Sequence, residues 1–215
     1  MLKRFAHGFI TLTASALLVA CGSAPFSPQS NGAPPVDANM YSPKVDSFVV
    51  LLDSSGSMDD EYSGRSKIHT AQDAAASFNS AVPALPFQSG LVVFGKGTQS
   101  CIGYGITDTV YGMTTHEQSD FAEALGSIKC AASTTPIAEA ITSATDMIDT
   151  EESGPAAVFI ISDTVWKDAT GVSDAVAGMR DKHGSKVCLH VIKIGDDTGN
   201  DALIGEPVSY THLTL

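Results

Sequence analysis

The sequence has little positive charge. Its 12 lysines and arginines stand against 24 aspartates and glutamates, which gives a formal net charge of −12. The phosphates of a nucleic acid would repel such a chain, so nucleic acid is not an expected partner. An acidic surface of this kind is compatible with solubility and with the binding of cations.

Two common zinc patterns and a long apolar run are also absent. None of the four cysteines belongs to a Cys-x-x-Cys pair, and no two histidines are four residues apart. These spacings are typical of structural zinc sites, so we do not expect one. No apolar run reaches the roughly 20 residues that a membrane-spanning helix needs.

The first 20 residues have the pattern of a secretory signal peptide, in which Lys3 and Arg4 precede an apolar stretch. The stretch ends in Leu-Val-Ala-Cys at residues 18–21, which resembles the lipobox of bacterial lipoproteins. That resemblance implies that Cys21 is lipidated and becomes the mature N-terminus. It also implies anchoring in the bacterial cell envelope, at the outer membrane because no Asp follows the cysteine. The proline-rich segment that follows the cysteine, up to residue 45, predicts a disordered tether.

One stretch organises the rest of the chain. Residues 48–52 form a continuous apolar run, Phe-Val-Val-Leu-Leu, which is typical of a strand buried on both faces of a parallel sheet. The run leads directly into Asp53, and Ser55 and Ser57 follow at intervals of two. Ligands of open α/β sheets bind at the carboxyl ends of the strands. One carboxylate and two hydroxyls suit a hard divalent cation: Mg²⁺, or else Mn²⁺ or Ca²⁺.

Strand and helix patterns alternate through residues 46–206. Continuous apolar runs predict buried strands, apolar spacings of three and four predict helices, and a partly alternating segment predicts an exposed edge strand. The predicted strands are residues 48–52, 91–94, 102–112, 156–162 and 186–194, and the predicted helices are 67–82, 119–128, one opening at Thr135-Pro136, and 173–182. This order predicts a doubly wound α/β domain whose sheet is mostly parallel, with one antiparallel edge strand.

Two further polar residues are predicted at the same edge of the sheet. Thr135 heads a helix, and Asp163 ends a strand that we place beside the first one. Taken alone, Thr135 could be a helix cap and Asp163 a turn residue. Their joint occurrence with the first loop favours a metal site made of Asp53, Ser55, Ser57, Thr135 and Asp163.

These segments resemble the von Willebrand factor A domain. The carrying motifs are Asp-Ser-Ser-Gly-Ser at 53–57, Thr-Pro-Ile-Ala-Glu-Ala-Ile at 135–141 and Phe-Ile-Ile-Ser-Asp at 159–163. In that family the three loops form the metal-ion-dependent adhesion site, with hydroxyls bound directly to the metal and acids bound directly or through water. The resemblance implies a non-enzymatic function in which the Asp or Glu of a partner protein completes the metal shell. Thr164 departs from the family, which commonly has Gly after the acid.

Within that family the chain resembles bacterial envelope lipoproteins that carry a C-terminal OmpA-type domain for peptidoglycan binding. No such segment lies among these 215 residues, so peptidoglycan binding is not expected of this chain. Residues 207–215 show neither a helical nor a useful strand pattern, and they resemble translated sequencing-adapter read-through. We therefore expect a non-native tail and a domain truncated before its last strand and helix.

Three cysteines remain once Cys21 is lipidated, and the exported compartment is oxidising. Cys101 follows the second predicted strand, and Cys130 precedes the Thr135 loop, so both are expected near the metal edge. We predict a disulfide between them. Cys188 lies inside a predicted strand and is either a buried thiol or the partner of a cysteine lost with the truncated end.

Two other functions compete with adhesion. A phosphatase of the haloacid dehalogenase type also places an Asp after a buried strand, and Asp53, Ser162 and the Asp196-Asp197 pair could take its roles. That family needs a second acid two residues after the nucleophile, where this chain has Ser55, so its general acid is missing. A metal-free structural module of the same fold is the other alternative, and the complete five-residue set argues against it.

Overall fold

The computed structural model describes residues 42–95, 101, 106–150, 152–198 and 212–214. Within these residues the chain forms strands and helices in alternation, joined by short turns. The strands are β1 (Ser47–Ser54), β2 (Glu61–Tyr62), β3 (Arg65–Ser66), β4 (Gln88–Gly95), β5 (Ile106–Thr115), β6 (Ala156–Ser162), β7 (Val187–Lys193) and β8 (His212–Thr214), and the helices are α1 (Lys67–Ala81), α2 (Gln118–Gly126), α3 (Ile137–Met147) and α4 (Ala169–His183).

A six-stranded sheet with the order β5-β4-β1-β6-β7-β8 forms the centre of the domain. β1 runs parallel to both β4 and β6, β6 runs parallel to β7, and β7 runs parallel to β8. Among the strands that the structure describes in this sheet, β5, at one edge, is the one antiparallel to its neighbour, β4. The predicted α/β architecture, a mostly parallel sheet with one antiparallel edge strand, is confirmed.

The sheet is covered by helices on both faces. Successive side chains of a strand point to opposite faces, so β1 contributes to two cores. Val49 and Leu51 pack with α3 and α4, whereas Val50 and Leu52 pack with α1 and α2. All eight residues of β1 are buried, which explains why its apolar run shows no polar alternation. Burial of each large apolar side chain stabilises the fold by about 2 kcal/mol, so β1 is firmly anchored.

Several element boundaries differ from the predicted ones. In α3 and α4 the capping residue sets the start of the helix. α4 begins at Ala169, four residues before its predicted start, because Asp168 caps it by accepting a 2.9 Å hydrogen bond from the Gly171 amide. Pro136 is the cap of α3 and not part of its first turn, so Thr135 lies just outside the helix. β5 continues to Thr115, three residues beyond the predicted end. The first part of that prediction, residues 102–105, lies outside the described residues.

A short strand in the C-terminal segment differs from expectation. The sequence pattern indicated no strand in residues 207–215, yet His212–Thr214 forms β8 and pairs with Val191–Lys193 of β7. This pairing occupies backbone groups at the outer edge of β7, which would otherwise be unpaired. The pairing of backbone groups does not depend on apolar side chains, so the apolar pattern of the sequence does not indicate it. The non-native origin of the tail stays a prediction.

The predicted membrane attachment falls in a different part of the chain. The signal peptide, Cys21 and the tether up to residue 41 lie outside the described residues. In the part of the chain that the structure describes, no helix is long and apolar enough to cross a bilayer.

Candidate metal-binding site

The carboxyl ends of two neighbouring strands carry the two predicted acids. Asp53 lies near the end of β1, Asp163 follows β6 directly, and the two strands pair in parallel. Both aspartates are completely buried. Thr135 lies in the loop before α3, and its hydroxyl donates a 3.2 Å hydrogen bond to the carbonyl of Val165. Through this bond Thr135 touches the segment that contains Asp163, so the second and third predicted loops meet.

Asp53 is held by two hydrogen bonds. The Ser55 amide donates to Oδ1 at 2.8 Å, and the Ser162 hydroxyl donates to Oδ2 at 2.5 Å. Burial raises the pKa of Asp53 to about 7, the hydrogen bonds from Ser162 and Ser55 oppose that rise, and the carboxylate of Asp163 adds to it. Ionising this carboxylate in the folded domain is therefore costly, and a bound cation would offset the cost.

The first loop places its two hydroxyls side by side. A single 3-10 turn at Gly56–Asp59 follows Ser55, and the Met58 amide donates to the Ser55 carbonyl at 3.1 Å. The turn brings the hydroxyl oxygens of Ser55 and Ser57 to 3.4 Å from each other. Two hydroxyls so close together, beside the Asp53 carboxylate, can contribute to one coordination shell.

The loop before α3 is clamped onto the first loop by backbone contacts. The Gly56 amide donates to the Ser133 carbonyl at 3.1 Å, and the Ala132 amide donates to the Ser54 carbonyl at 2.9 Å. Ser133 has a φ of 74°, a left-handed conformation that a serine adopts at some cost. These contacts fix the approach of the second loop to the site.

Cys130, at the start of this loop, forms a disulfide with Cys101, and their Cα atoms are 5.8 Å apart. Replacing both by Ser should lower the free energy of unfolding by about 3 kcal/mol, because the bond closes a loop of roughly 30 residues. Urea unfolding of the oxidised chain and of the double variant measures the loss. Cys188→Ser is the matched control, because the half-buried Cys188 thiol is free. Equal midpoints for the double variant and the control would contradict the stabilising role.

Thr164 shows why a glycine is common after this acid. Its φ is 64°, in the left-handed region, where a β-branched residue is strained by on the order of 1–2 kcal/mol. The loop keeps this conformation because its amides are satisfied. The Thr164 amide donates to the Ser162 hydroxyl at 2.9 Å, and the Val165 amide donates to Asp163 Oδ1 at 3.0 Å. The departure from glycine strains the backbone and leaves the Asp163 carboxylate oriented.

Lys67 is a charged neighbour of the site that the sequence analysis missed. It is the first residue of α1, only 4% exposed, and its Nζ lies 3.1 Å from Asp163 Oδ2 and 2.5 Å from Asp197 Oδ2. Burial lowers the pKa of Lys67, but the hydrogen bonds with Asp197 and Asp163 outweigh this effect, and the pKa is raised. One feature of the sequence could have indicated this role. A lysine at a helix N-terminus interacts unfavourably with the helix dipole, so a nearby acidic partner is expected.

A model of the von Willebrand factor type A domain family matches residues 48–165, which is more than half of the chain and includes every predicted ligand. The chain belongs to the von Willebrand factor type A (VWA) domain family. Among curated proteins, none matches the chain.

Solved structures are similar to this VWA domain in fold. The conserved hypothetical protein BatB from Bacteroides thetaiotaomicron is 18% identical with a TM-score of 0.61, over 79% of this chain and 89% of that one. A von Willebrand factor type A protein from Catenulispora acidiphila is 17% identical with a TM-score of 0.61, over 80% of this chain and 38% of that one. The manganese-loaded TRAP protein of Plasmodium vivax is 14% identical with a TM-score of 0.55, over 80% and 69%. Identities this low show the fold alone.

The residues of the VWA site suit a hard divalent cation. All five predicted ligands offer oxygen, and the two aspartates supply negative charge in a buried position. Across the described residues, no group of three or more His, Cys, Asp or Glu side chains is placed to hold a metal. Any metal at this sheet edge therefore depends on the hydroxyls as well as on the two acids.

The geometry does not favour the phosphatase alternative. A nucleophilic carboxylate must reach a substrate, whereas Asp53 has no exposed surface and accepts hydrogen bonds at both oxygens. Asp197, which could have served as a metal ligand in such an enzyme, is paired with Lys67. Ser162 is the candidate for substrate binding, but its hydroxyl donates a hydrogen bond to Asp53.

Proposed function

We propose that this VWA domain binds a protein partner through a divalent cation, Mg²⁺ or alternatively Mn²⁺ or Ca²⁺. The observation that carries the proposal is that two buried carboxylates and the hydroxyl-bearing loops meet at one edge of the sheet. The residues that would hold the metal are Asp53, Ser55, Ser57, Thr135 and Asp163. The bound metal would offer a coordination position to an Asp or Glu side chain of the partner.

The residues around the ligands orient them. The Ser162 hydroxyl and the Ser55 amide hold the Asp53 carboxylate, and the Val165 amide holds that of Asp163. Such preorganisation lowers the ordering cost of metal binding, because the ligands are already close to their working positions. The TRAP structure is described as manganese-loaded, which supports Mn²⁺ as a probe.

We also propose that the domain is held at the bacterial cell envelope, at the outer membrane, by a lipid on Cys21. The proposal rests on the signal-peptide pattern and the lipobox resemblance of residues 1–21. Metabolic labelling of the expressed chain with a fatty acid should mark the wild type and leave Cys21→Ser unlabelled. Equal labelling of both chains would contradict lipidation at this residue.

Metal binding is tested with Mn²⁺ alone, by calorimetric titration. We expect Asp53→Ala and Asp163→Ala to weaken Mn²⁺ binding by about 100-fold or more, because each removes a charged ligand from a buried site. Asp73→Ala is the matched control, since Asp73 is an α1 carboxylate that pairs with Arg65. A wild-type chain that binds no Mn²⁺, or variants that bind it equally well, would contradict the proposal.

Partner binding is tested by capture from an envelope extract. The proposal predicts proteins that wild type retains in Mg²⁺ and releases in chelator, and that Asp163→Ala does not retain. Equal retention in Mg²⁺ and in chelator would exclude the metal-dependent mechanism.

One observation favours the metal-free structural module as a second candidate. The ammonium of Lys67 already neutralises Asp163, one of the two acids that a metal would use. A domain in which Lys67 pairs with Asp163 could keep the fold without metal. The Mn²⁺ titration distinguishes the two functions, because the structural module binds no metal.

A further inference from the structure

Lys67 and the proposed metal compete for the same carboxylate. Asp163 accepts a hydrogen bond from the Val165 amide at Oδ1, and its Oδ2 lies 3.1 Å from Lys67 Nζ. Asp163 is completely buried and Lys67 nearly so, so water cannot screen the pair effectively. A cation bound to Asp163 would therefore meet a second positive charge at close range.

We propose that Lys67 is an intramolecular counter-ion that lowers metal affinity, with Asp163 and Asp197 as its alternative acceptors. This inference rests on the proposed metal-binding function and deepens it. In the metal-free domain Lys67 neutralises the buried Asp163. When a metal binds, Lys67 keeps its contact with Asp197 and releases Asp163.

Charge explains why the lysine is needed without metal. An unpaired buried carboxylate strongly destabilises the folded domain, because it has lost its hydration without gaining a compensating positive charge. Asp53 and Asp163 lie at the carboxyl ends of the paired parallel strands β1 and β6, so their negative charges repel each other. Lys67 brings one positive charge to Asp163, which offsets part of this negative charge in the absence of metal.

The position of Asp197 explains how Lys67 can release Asp163. The Asp197 side chain is 38% exposed, whereas that of Asp163 is fully buried, so water can help to solvate the Lys67–Asp197 pair. The segment that carries Asp197 also packs on the lysine. A Cβ atom built on Gly195, whose φ is 90°, would lie 3.4 Å from Lys67 Cε. Gly195 and Asp197 therefore place the segment after β7 against Lys67.

The test is calorimetric titration of the full chain with Mn²⁺ alone. Lys67→Met should bind Mn²⁺ about tenfold more tightly than wild type or better, because a positive charge has left the site. Asp197→Asn should bind roughly threefold more weakly, since Lys67 then depends on Asp163 alone. In the Lys67→Met background, Asp197→Asn should change the Mn²⁺ affinity little, because Asp197 affects the metal site through its contact with Lys67.

The controls separate charge from structure. Lys67→Arg keeps the charge and should retain an affinity close to that of wild type. Arg65→Met removes a cation two residues away that pairs with Asp73, and should leave Mn²⁺ affinity unchanged. Lys67→Gln is the second neutral variant, for use if Lys67→Met does not fold. In chelator, both neutral variants should show a lower urea midpoint than wild type.

The outcomes distinguish this inference from the proposed function. If wild type binds Mn²⁺ and the neutral variants bind it no more tightly, the counter-ion role is overturned while metal binding stands. If only the neutral variants bind Mn²⁺, Lys67 replaces the metal in the natural chain, and the proposed function is overturned. If neither binds, both are overturned. A neutral variant as stable as wild type in chelator also overturns the counter-ion role.

Discussion

Asp53→Asn will make the metal-free domain more stable at pH 8 and will abolish its response to divalent metal. Burial raises the pKa of Asp53 from 3.8 to about 7, so the folded domain pays to ionise this group. A shift of about three pKa units corresponds to roughly 4 kcal/mol, which is the upper limit of the expected gain. The asparagine has the same shape and can still accept from the Ser55 amide.

The sign of the pH dependence follows from the protons bound in each state. Between about pH 4 and pH 7 the unfolded chain has lost the Asp53 proton, whereas the folded chain retains it. Unfolding then releases a proton, so the free energy of unfolding of the metal-free wild type falls as the pH rises through this window. The advantage of Asp53→Asn should be fully developed above pH 7 and should vanish near pH 4.

Thermal unfolding in chelator and in excess Mn²⁺, from pH 4 to pH 8, measures both effects. Each kcal/mol shifts the melting temperature by about 2–4 °C in a domain of this size. Asp163→Asn is the matched comparison, because it leaves the buried Lys67 with Asp197 alone and should destabilise the metal-free domain. An Asp53→Asn variant that is less stable than wild type at pH 8 would show that the charge of Asp53 does not destabilise the metal-free domain.

The position of the two acids followed from the sequence because it depends on apolar pattern. A run such as residues 48–52 has to be buried on both faces, and all of β1 is. The strand order then places the end of β6, and with it Asp163, next to the end of β1. Pattern and topology together were sufficient to bring these two residues to one edge.

Contacts between distant side chains were not predictable in the same way. Lys67 and Asp163 are 96 residues apart, and Lys67 and Asp197 are 130 apart, with no periodicity that relates them. The Ser162 hydroxyl was assigned only to the rival phosphatase, because its bond to Asp53 depends on the register between β1 and β6. The apolar pattern of a single sequence indicates which elements are buried. It gives little information on which polar groups pair across loops.

Gly95→Ala will destabilise the domain and weaken the metal site, although Gly95 is not a ligand. Gly95 pairs with Ser54 in the β1–β4 register, and its φ is 113°, which an L-residue with a side chain rarely adopts. A Cβ atom there would lie 2.5 Å from the Ser54 carbonyl oxygen and from the Ser55 nitrogen. Because both neighbours are backbone atoms, the strain cannot be relieved by turning a side chain.

In the sequence Gly95 only follows the predicted strand at residues 91–94, whereas in the structure its backbone lies against Ser54 and Ser55. The Ser55 amide that the new methyl group would displace is the donor that holds Asp53 Oδ1. We expect a loss of about 3 kcal/mol or more in the free energy of unfolding, from left-handed strain together with the backbone clash. Mn²⁺ affinity should fall as well, because Asp53 and Ser55 lose their relative positions.

Gly112→Ala is the matched control, since Gly112 lies in the neighbouring strand β5 and a Cβ atom there meets nothing within 4 Å. An alanine in that strand should be neutral or stabilising by about 0.5 kcal/mol, because it reduces the backbone entropy lost on folding. Urea unfolding and Mn²⁺ titration of both variants measure the contrast. If the two variants were equally stable, the approach of β4 to the first loop would be looser than the structure places it. If Gly95→Ala lost stability but kept its Mn²⁺ affinity, Ser55 would not depend on this glycine for its position.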